Sequence, residues 1–282
     1  MHPLVYQTDF GLVDGAVRIM YGVAYSVSPD LNIHDLTHDI TPFNIWEASY
    51  RLIQTINYWP EGTVFVSVVD PGVGSDRKSV VAKTNSGRYI VTPDNGTLTH
   101  VLRLEGIAAV REIDEQINRL PRSGESYTFH GRDVYAFTGA RLASGIIDFE
   151  GVGPELSVDS LTKLPIVEPY LDGTAACGTI DVLDVRFGSL WTNIPRSLFL
   201  QTGIRYGDRV SITIENDTRC VYRNIILFGR SFADVYVGEA LAYVNSLDCV
   251  AVAINQGSFA RAYNVGTGNS WRIRIEPFKG FL

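Results

Sequence analysis

Cysteine is scarce in this sequence: Cys177, Cys220 and Cys249 are the only three in 282 residues, widely separated and in no CxxC pairing. That excludes a disulfide framework and a cysteine-based metal site, and it predicts reduced, mostly buried core thiols in a cytoplasmic protein. Positive charge is also in short supply. With 24 Lys and Arg against 31 Asp and Glu, the net charge is −7, which argues against wrapping a polyanion. No nucleic-acid partner is expected. Apolar runs fall far short of the roughly 20 residues of a membrane span. The opening MHPLVYQTDF has neither the basic nor the apolar region of an export signal. No membrane partner is expected either. Internal repeats and low-complexity tracts are missing as well.

What remains is ordinary globular material, 45% hydrophobic and 20% charged, enough for one large domain or two moderate ones. The first half alternates strands and helices. LVYQT (4–8) reads as a short apolar strand, and Val17, Met20, Val23, Ala24 and Val27 fall at helical spacing before Pro29. Residues 32–36 read as a second strand. Thr41-Pro42 is a helix start, followed by the stripe Ile45, Ala48, Leu52, Ile53 and Ile56. TVFVSVV (63–69) has the near-continuous β-branched character of a strand covered on both faces. A hairpin follows through Asn85-Ser86-Gly87, and another helix begins near Arg132. This order predicts a mainly parallel α/β domain over residues 1–166. After the proline-rich LPIVEPYLDG come short strands with turn signals and no convincing helix. They predict a smaller antiparallel β-barrel or sandwich over 167–282.

Ligands of parallel α/β sheets collect at the carboxyl ends of the strands. Three polar turns fall there: TDFGLVDG with Asp9 and Asp14, VVDPGVGSDR with Asp70 and Arg77, and FHGRD with His130. Taken singly, each has a bland reading. Asp14 caps a helix, and Asp70 with Arg77 forms a turn ion pair. Their shared location favours a site. An acid, a guanidinium and an imidazole together suit control of a proton or a water. A phosphate cradle would need a Lys-Ser or Lys-Thr after the glycines, which is absent. His34 and His38 fit no clean metal spacing, and no Cys or third His supports them. His2 and His100 read as surface residues.

TDFG (8–11), VDPGVG (69–74), PDNG (93–96), FHGRD (129–133), FGSLWTNI (187–194) and VNS (244–246) occur in this order across nearly the whole chain. Together they resemble the S-adenosylmethionine hydrolases, or hydroxide adenosyltransferases, relatives of the adenosyl fluorinase and chlorinase. The resemblance implies an α/β domain followed by a β domain. It also implies a homotrimer whose sites lie between the first domain of one subunit and the second domain of its neighbour. Carried over, Asp9 would bind the ribose diol. Asp14 and Ser246, with Asp184 beside them, would hold the amino-acid end of the methionine moiety. Phe187 and Phe232 would sandwich adenine, and the backbone near Asn255 and Gln256 would read its edge. Asp70, Arg77 and His130 would handle the attacking water. No cofactor is implied, since S-adenosylmethionine is the substrate and adenosine the product.

The sulfonium is an excellent leaving group, so the ribose C5′ needs only an in-line nucleophile and exclusion of bulk water. Asp70 stands where the halogenases carry a tyrosine. A carboxylate there would repel a halide by on the order of 4 kcal/mol at about 4 Å and an effective dielectric near 20. Phe43 stands where the halogenases have tryptophan and still provides a ribose wall. Ser189 replaces an asparagine at an adenine contact, and Leu247 and Ile254 replace arginines. The alternatives are a chloride-using halogenase of the same family and a non-catalytic sensor of S-adenosylmethionine or adenosine. A calcium nucleoside hydrolase fits poorly, because Gln7 and Gly15 stand where its motif needs further acids.

Overall fold

Leu4–Thr8 forms the first strand, β1, with all five residues buried, as a strand covered on both faces requires. The computed structural model describes residues 1–124 and 127–280. The chain divides into two units, Met1–Leu164 and Pro165–Leu282. In the first, β1 is followed by α1 (Ala16–Val27), β2 (Ile33–Thr37), α2 (Ile45–Ile56), β3 (Val64–Val68), β4 (Ser79–Thr84) and β5 (Tyr89–Pro93). Then come α3 (Thr99–Leu104), β6 (Ile107–Glu112), a π-helical turn (Gly131–Ala136) running into α4 (Phe137–Ser144), and β7 (Glu155–Leu156). The sheet order is β2-β1-β3-β5-β4-β6-β7. The pairings from β2 through β5 are parallel, and those from β5 through β7 are antiparallel.

Alternate residues of the central strands serve two cores. Leu4, Tyr6, Val64, Val66 and Val68 pack with Met20, Val23 and Ala24 of α1 and Ala140 and Ala143 of α4. Val5, Phe65 and Ile90 pack with Leu52, Ile53 and Ile56 of α2 and Val101 of α3. Each such side chain contributes about 1.5–3 kcal/mol when buried. A Cβ on Gly139 would lie 2.4 Å from Val66 Cγ2, so α4 can approach β3 this closely only with glycine there.

Three sequence expectations for this unit change. The second helix starts at Ile45, not at Thr41-Pro42. Asn44 caps it by accepting from Glu47 N–H at 3.0 Å, and the Glu47 carboxylate reaches back to Thr41 N–H at 3.0 Å. Phe43 takes φ 68°, which no helix allows, and its N–H is spent on Asp9. His100 is a core residue, 1% exposed, packed edge-on to Trp46 and Tyr50. Helix α3, which carries it, escaped the periodicity reading because six residues are too few to show a stripe.

The second unit contains β8 (Tyr170–Asp172), β9 (Ala175–Leu183), β10 (Leu190–Pro195), α5 (Arg196–Phe199), β11 (Arg209–Glu215), β12 (Cys220–Phe228), β13 (Ala240–Val244), β14 (Cys249–Ile254), α6 (Phe259–Tyr263) and β15 (Gly268–Pro277). The order β10-β14-β13-β12-β11-β15-β9, with β9 pairing back to β10, closes a seven-stranded barrel, and β8 adds to β9. Closure removes sheet edges. Val210, Ile212 and Ile214 alternate inward along β11 and meet Ile226, Val250, Val252, Ile273 and Ile275. One pairing departs from the antiparallel expectation: β12 and β13 run parallel over Leu227–Leu241 and Phe228–Ala242. Two short helices, α5 and α6, also interrupt the strands. Only Cys177 of the cysteines is buried. Cys220 is exposed and Cys249 half-buried, because both start strands at the barrel rim rather than filling its interior.

Candidate active site

Strands β1 and β3 are neighbours and parallel, so the turns after them, carrying Asp9 and Asp70, open at the same end of the sheet. The chain leaves β3 through two successive turns, with Val73 N–H donating to Asp70 O at 3.3 Å and Ser75 N–H to Gly72 O at 3.1 Å. Gly74 sits at φ 80°, where a Cβ would lie 3.0 Å from the Tyr127 carbonyl oxygen. This folded loop brings Arg77 back onto Asp70. Arg77 Nε donates to Asp70 Oδ1 at 2.7 Å, and the terminal Nη2 donates to Oδ2. Nη2 also lies 3.2 Å from His130 Nδ1, and Nη1 lies 3.2 Å from Ser79 Oγ. Four of the five N–H groups of the guanidinium are therefore engaged.

His130 precedes the π-helical turn and is 5% exposed. An arginine can only donate, so His130 Nδ1 accepts, and the ring proton of the neutral imidazole sits on Nε2. That Nε2 is buried and has no hydrogen-bond partner among the described residues. Burial pushes the imidazole below its ordinary pKa. Glu115 and Asp70 oppose the shift, and Arg77 and Arg119 reinforce it. The ring is neutral near pH 7.

Asp70 and His130 both line a cavity of about 270 Å³ with Asp9, Phe43, Phe10, Phe129, Val68 and Val73. Two carboxylates, the imidazole and Thr128 are thus the polar groups in an otherwise aromatic and aliphatic pocket. Asp9 Oδ2 accepts from Phe43 N–H at 2.8 Å, which places one carboxylate oxygen and leaves the other with no hydrogen bond among the described residues. The Phe43 ring is 72% exposed. Asp14 does not line this cavity. It is exposed, and its Oδ1 accepts from Ala16 N–H at 2.8 Å in a local turn, while Gly15, not Asp14, is the helix N-cap.

The barrel unit carries the other predicted residues, and several of them share one neighbourhood. Asp184, Phe187 and Ser189 occupy the β9–β10 turn, where Asp184 N–H donates to Ser189 O at 2.9 Å and the Phe187 ring stands 70% exposed. Tyr243 joins this turn to Phe232. Its phenol faces Ser189, and its ring lies 5.1 Å from that of Phe232. Ser246 is exposed in the turn after β13. Asn255 spends its groups within the barrel. Its N–H goes to Glu239 O, its carbonyl takes Gly238 N–H, and its side chain donates to Val235 O at 2.9 Å. It holds the 235–239 loop, while Gln256 stands exposed at φ 55°.

Several contributors had no sequence signal. Ser79 bridges Arg77 to Tyr135 Oη at 3.0 Å, and the guanidinium carbon lies 5.7 Å from the Tyr135 ring centre. Asn95 of PDNG donates to Val69 O at 2.9 Å, fixing the residue before Asp70. Only that motif's recurrence in order hinted at a role. Among the described residues no three His, Cys, Asp or Glu are grouped to hold a metal ion. His34 packs on Trp59, whereas His38 bonds to Asp35 and Thr8. No helix of the described residues is long and apolar enough to cross a membrane.

Residues 4–153 match the SAM hydroxide adenosyltransferase N-terminal domain, and residues 178–272 match the C-terminal domain. The (R)-S-adenosyl-L-methionine hydrolase of Thermus thermophilus is 34% identical over 97% of this chain and all of its own length. A fluorinase of Nocardia brasiliensis is 28% identical over 96% of each chain. The crystal structure of an uncharacterized conserved protein from Thermotoga maritima superposes with a TM-score of 0.86 at 33% identity, covering 97% of this chain and 99% of that one. The chain belongs to the SAM hydroxide adenosyltransferase family.

Proposed function

We propose that the protein hydrolyses S-adenosyl-L-methionine to adenosine and L-methionine by in-line attack of water at the ribose C5′. The observation that carries this reading is the hydrogen-bonded Asp70–Arg77–His130 cluster, whose acid and imidazole line the same cavity as Asp9. His130 Nε2–H is the donor that holds the water oxygen. Asp70 is the acceptor. Each of its oxygens uses one lone pair on Arg77 and keeps another for a water proton. As the water oxygen bonds to C5′, the C–S electron pair passes to sulfur, giving neutral methionine, and the water proton leaves through Asp70. Arg77 positions both groups. Proton transfer of this kind contributes about 10²–10⁴-fold.

The ion pair also refines the case against halide chemistry. Asp70 and Arg77 together carry no net charge, so the repulsion expected of a lone carboxylate is reduced. What remains is that the guanidinium has almost no free N–H to offer an anion.

Asp9 would take the ribose diol and Phe43 the ribose wall. Phe187, Phe232, Ser189 and the backbone at Asn255 and Gln256 would take adenine. Asp14, Asp184 and Ser246 would take the methionine end. These barrel residues would come from a neighbouring subunit of a cytoplasmic homotrimer, and no cofactor is required. The exposed Phe187 ring supports the partnership. Mixing Asp70→Ala with Phe187→Ala subunits should regain activity that neither variant has alone; no regain would contradict the shared site. Dialysis against a chelator should leave turnover unchanged. The function itself is tested by incubation with S-adenosylmethionine and excess chloride, followed by product separation. Adenosine is expected, whereas 5′-chloroadenosine or unchanged substrate would overturn the proposal.

A further inference from the structure

Behind the cavity wall, four polar side chains from three segments form one hydrogen-bonded series. Tyr21 Oη on α1 donates to Asp35 Oδ1 on β2 at 2.7 Å, and the same oxygen lies 2.7 Å from His38 Nε2. The other ring nitrogen, Nδ1, lies 2.8 Å from Thr8 Oγ1, which in turn lies 3.2 Å from the Phe10 backbone nitrogen. Burial opposes ionisation of Asp35, but hydrogen bonds from Tyr21 and His38 hold its carboxyl below the ordinary range. An ionised carboxylate only accepts, so His38 Nε2 carries the proton. Nδ1 then accepts from the Thr8 hydroxyl, whose oxygen accepts from Phe10 N–H.

The composition is that of a nucleophile triad, but Thr8 is fully buried and His38 is 4% exposed. Neither lines the cavity. What the series does touch is the backbone on both sides of Asp9. Thr8 precedes Asp9, Phe10 follows it, and Gly11, at φ 67°, donates its N–H to His38 O at 2.8 Å. The turn that carries the Asp9 carboxylate is therefore anchored through His38 at two points. A carboxylate that must meet two vicinal hydroxyls at once depends on such fixed placement.

We propose that Thr8, His38 and Asp35 are positioning residues that set Asp9 against the ribose diol, an inference that rests on the reading of Asp9 given above. They act through Asp9 and touch no substrate. The test compares the affinities of adenosine and 2′,3′-dideoxyadenosine by calorimetry. Wild-type protein should favour adenosine by about tenfold or more, as expected for hydrogen bonds to a charged group, and Asp9→Ala should erase that preference. Thr8→Val, close in shape but without the hydroxyl, should cut the preference at least about threefold while leaving dideoxyadenosine affinity unchanged. Thr8→Ser should restore it, and Thr8→Val should add nothing in the Asp9→Ala background. Asp35→Asn, at an exposed position, should reproduce the loss should Thr8→Val not fold. Equal weakening of both nucleosides would mean a merely structural role and would overturn the inference. An unchanged preference in Thr8→Val and Asp35→Asn, with Asp9→Ala still erasing it, would overturn this inference alone. A wild type that does not distinguish the two nucleosides would overturn the reading of Asp9 and this inference with it.

Discussion

His100 and His130 are alike in almost every local respect. They are 1% and 5% exposed, and Nε2 of each has no hydrogen-bond partner among the described residues. Nδ1 is occupied in both, by the Ser49 hydroxyl at 2.9 Å and by the Arg77 guanidinium at 3.2 Å. Burial pushes both imidazoles toward the neutral form. They differ in what surrounds the free nitrogen. His100 lies between α2 and α3 with ring distances of 4.7 Å to Trp46 and 5.5 Å to Tyr50. His130 lines a cavity with two carboxylates. A buried, depressed histidine is thus no sign of function by itself. Its address decides.

The largest effect that would break or sharpen this contrast is on turnover. His130→Ala and Asp70→Ala should each lower kcat by about 10²–10⁴ in steady-state assays, whereas His100→Phe should leave kcat/KM within about twofold. A large kinetic loss in the core variant would erase the distinction.

Stability against pH should separate the pair the other way. The His100 pKa falls from 6.5 to about 4, through burial first and Arg103 second. The folded protein therefore resists a proton that the unfolded chain takes up. Stability is complete above about pH 6.5 and declines as pH falls toward about 4, by about 3 kcal/mol in all. Urea unfolding at several pH values should show this slope, and His100→Phe should flatten it.

The activity profile comes next. Because His130 is depressed by burial, the acid limb of kcat/KM should lie below pH 6.5, since the neutral ring must persist for its Nε2–H to meet the water with Nδ1 still on Arg77. A limb above that value would put the imidazole in the wrong state. The smallest effect is expected from Ser79→Ala. It removes one Arg77 partner and the bridge to Tyr135, worth about 1 kcal/mol or roughly fivefold in kcat.

Much of this was legible in the residues. The β-branched run 63–69 became a fully buried strand, because such side chains pack well between two layers. Asp70 and Arg77 met because Pro71, Gly72 and Gly74 permit the tight loop between them, with Gly74 at φ 80°. Other features lay beyond a linear reading. Helix α2 starts at Ile45 behind the Asn44 cap because tertiary demand at Asp9 outweighed the local preference of Thr41-Pro42. The parallel β12–β13 pair is a product of barrel closure, which no strand signals alone. His38 looked like an isolated imidazole, since its partners Thr8 and Asp35 come together only when β1 and β2 pair. The π-helical turn after His130 also has no compositional mark, although such turns gather at functional sites.

The central claim concerns which atom attacks which carbon, and oxygen-18 water tests it most directly. Mass spectrometry of a complete reaction in labelled water should find one heavy oxygen at the 5′ position of adenosine and none in methionine. Adenosine without the label, or adenine released in its place, would contradict the account.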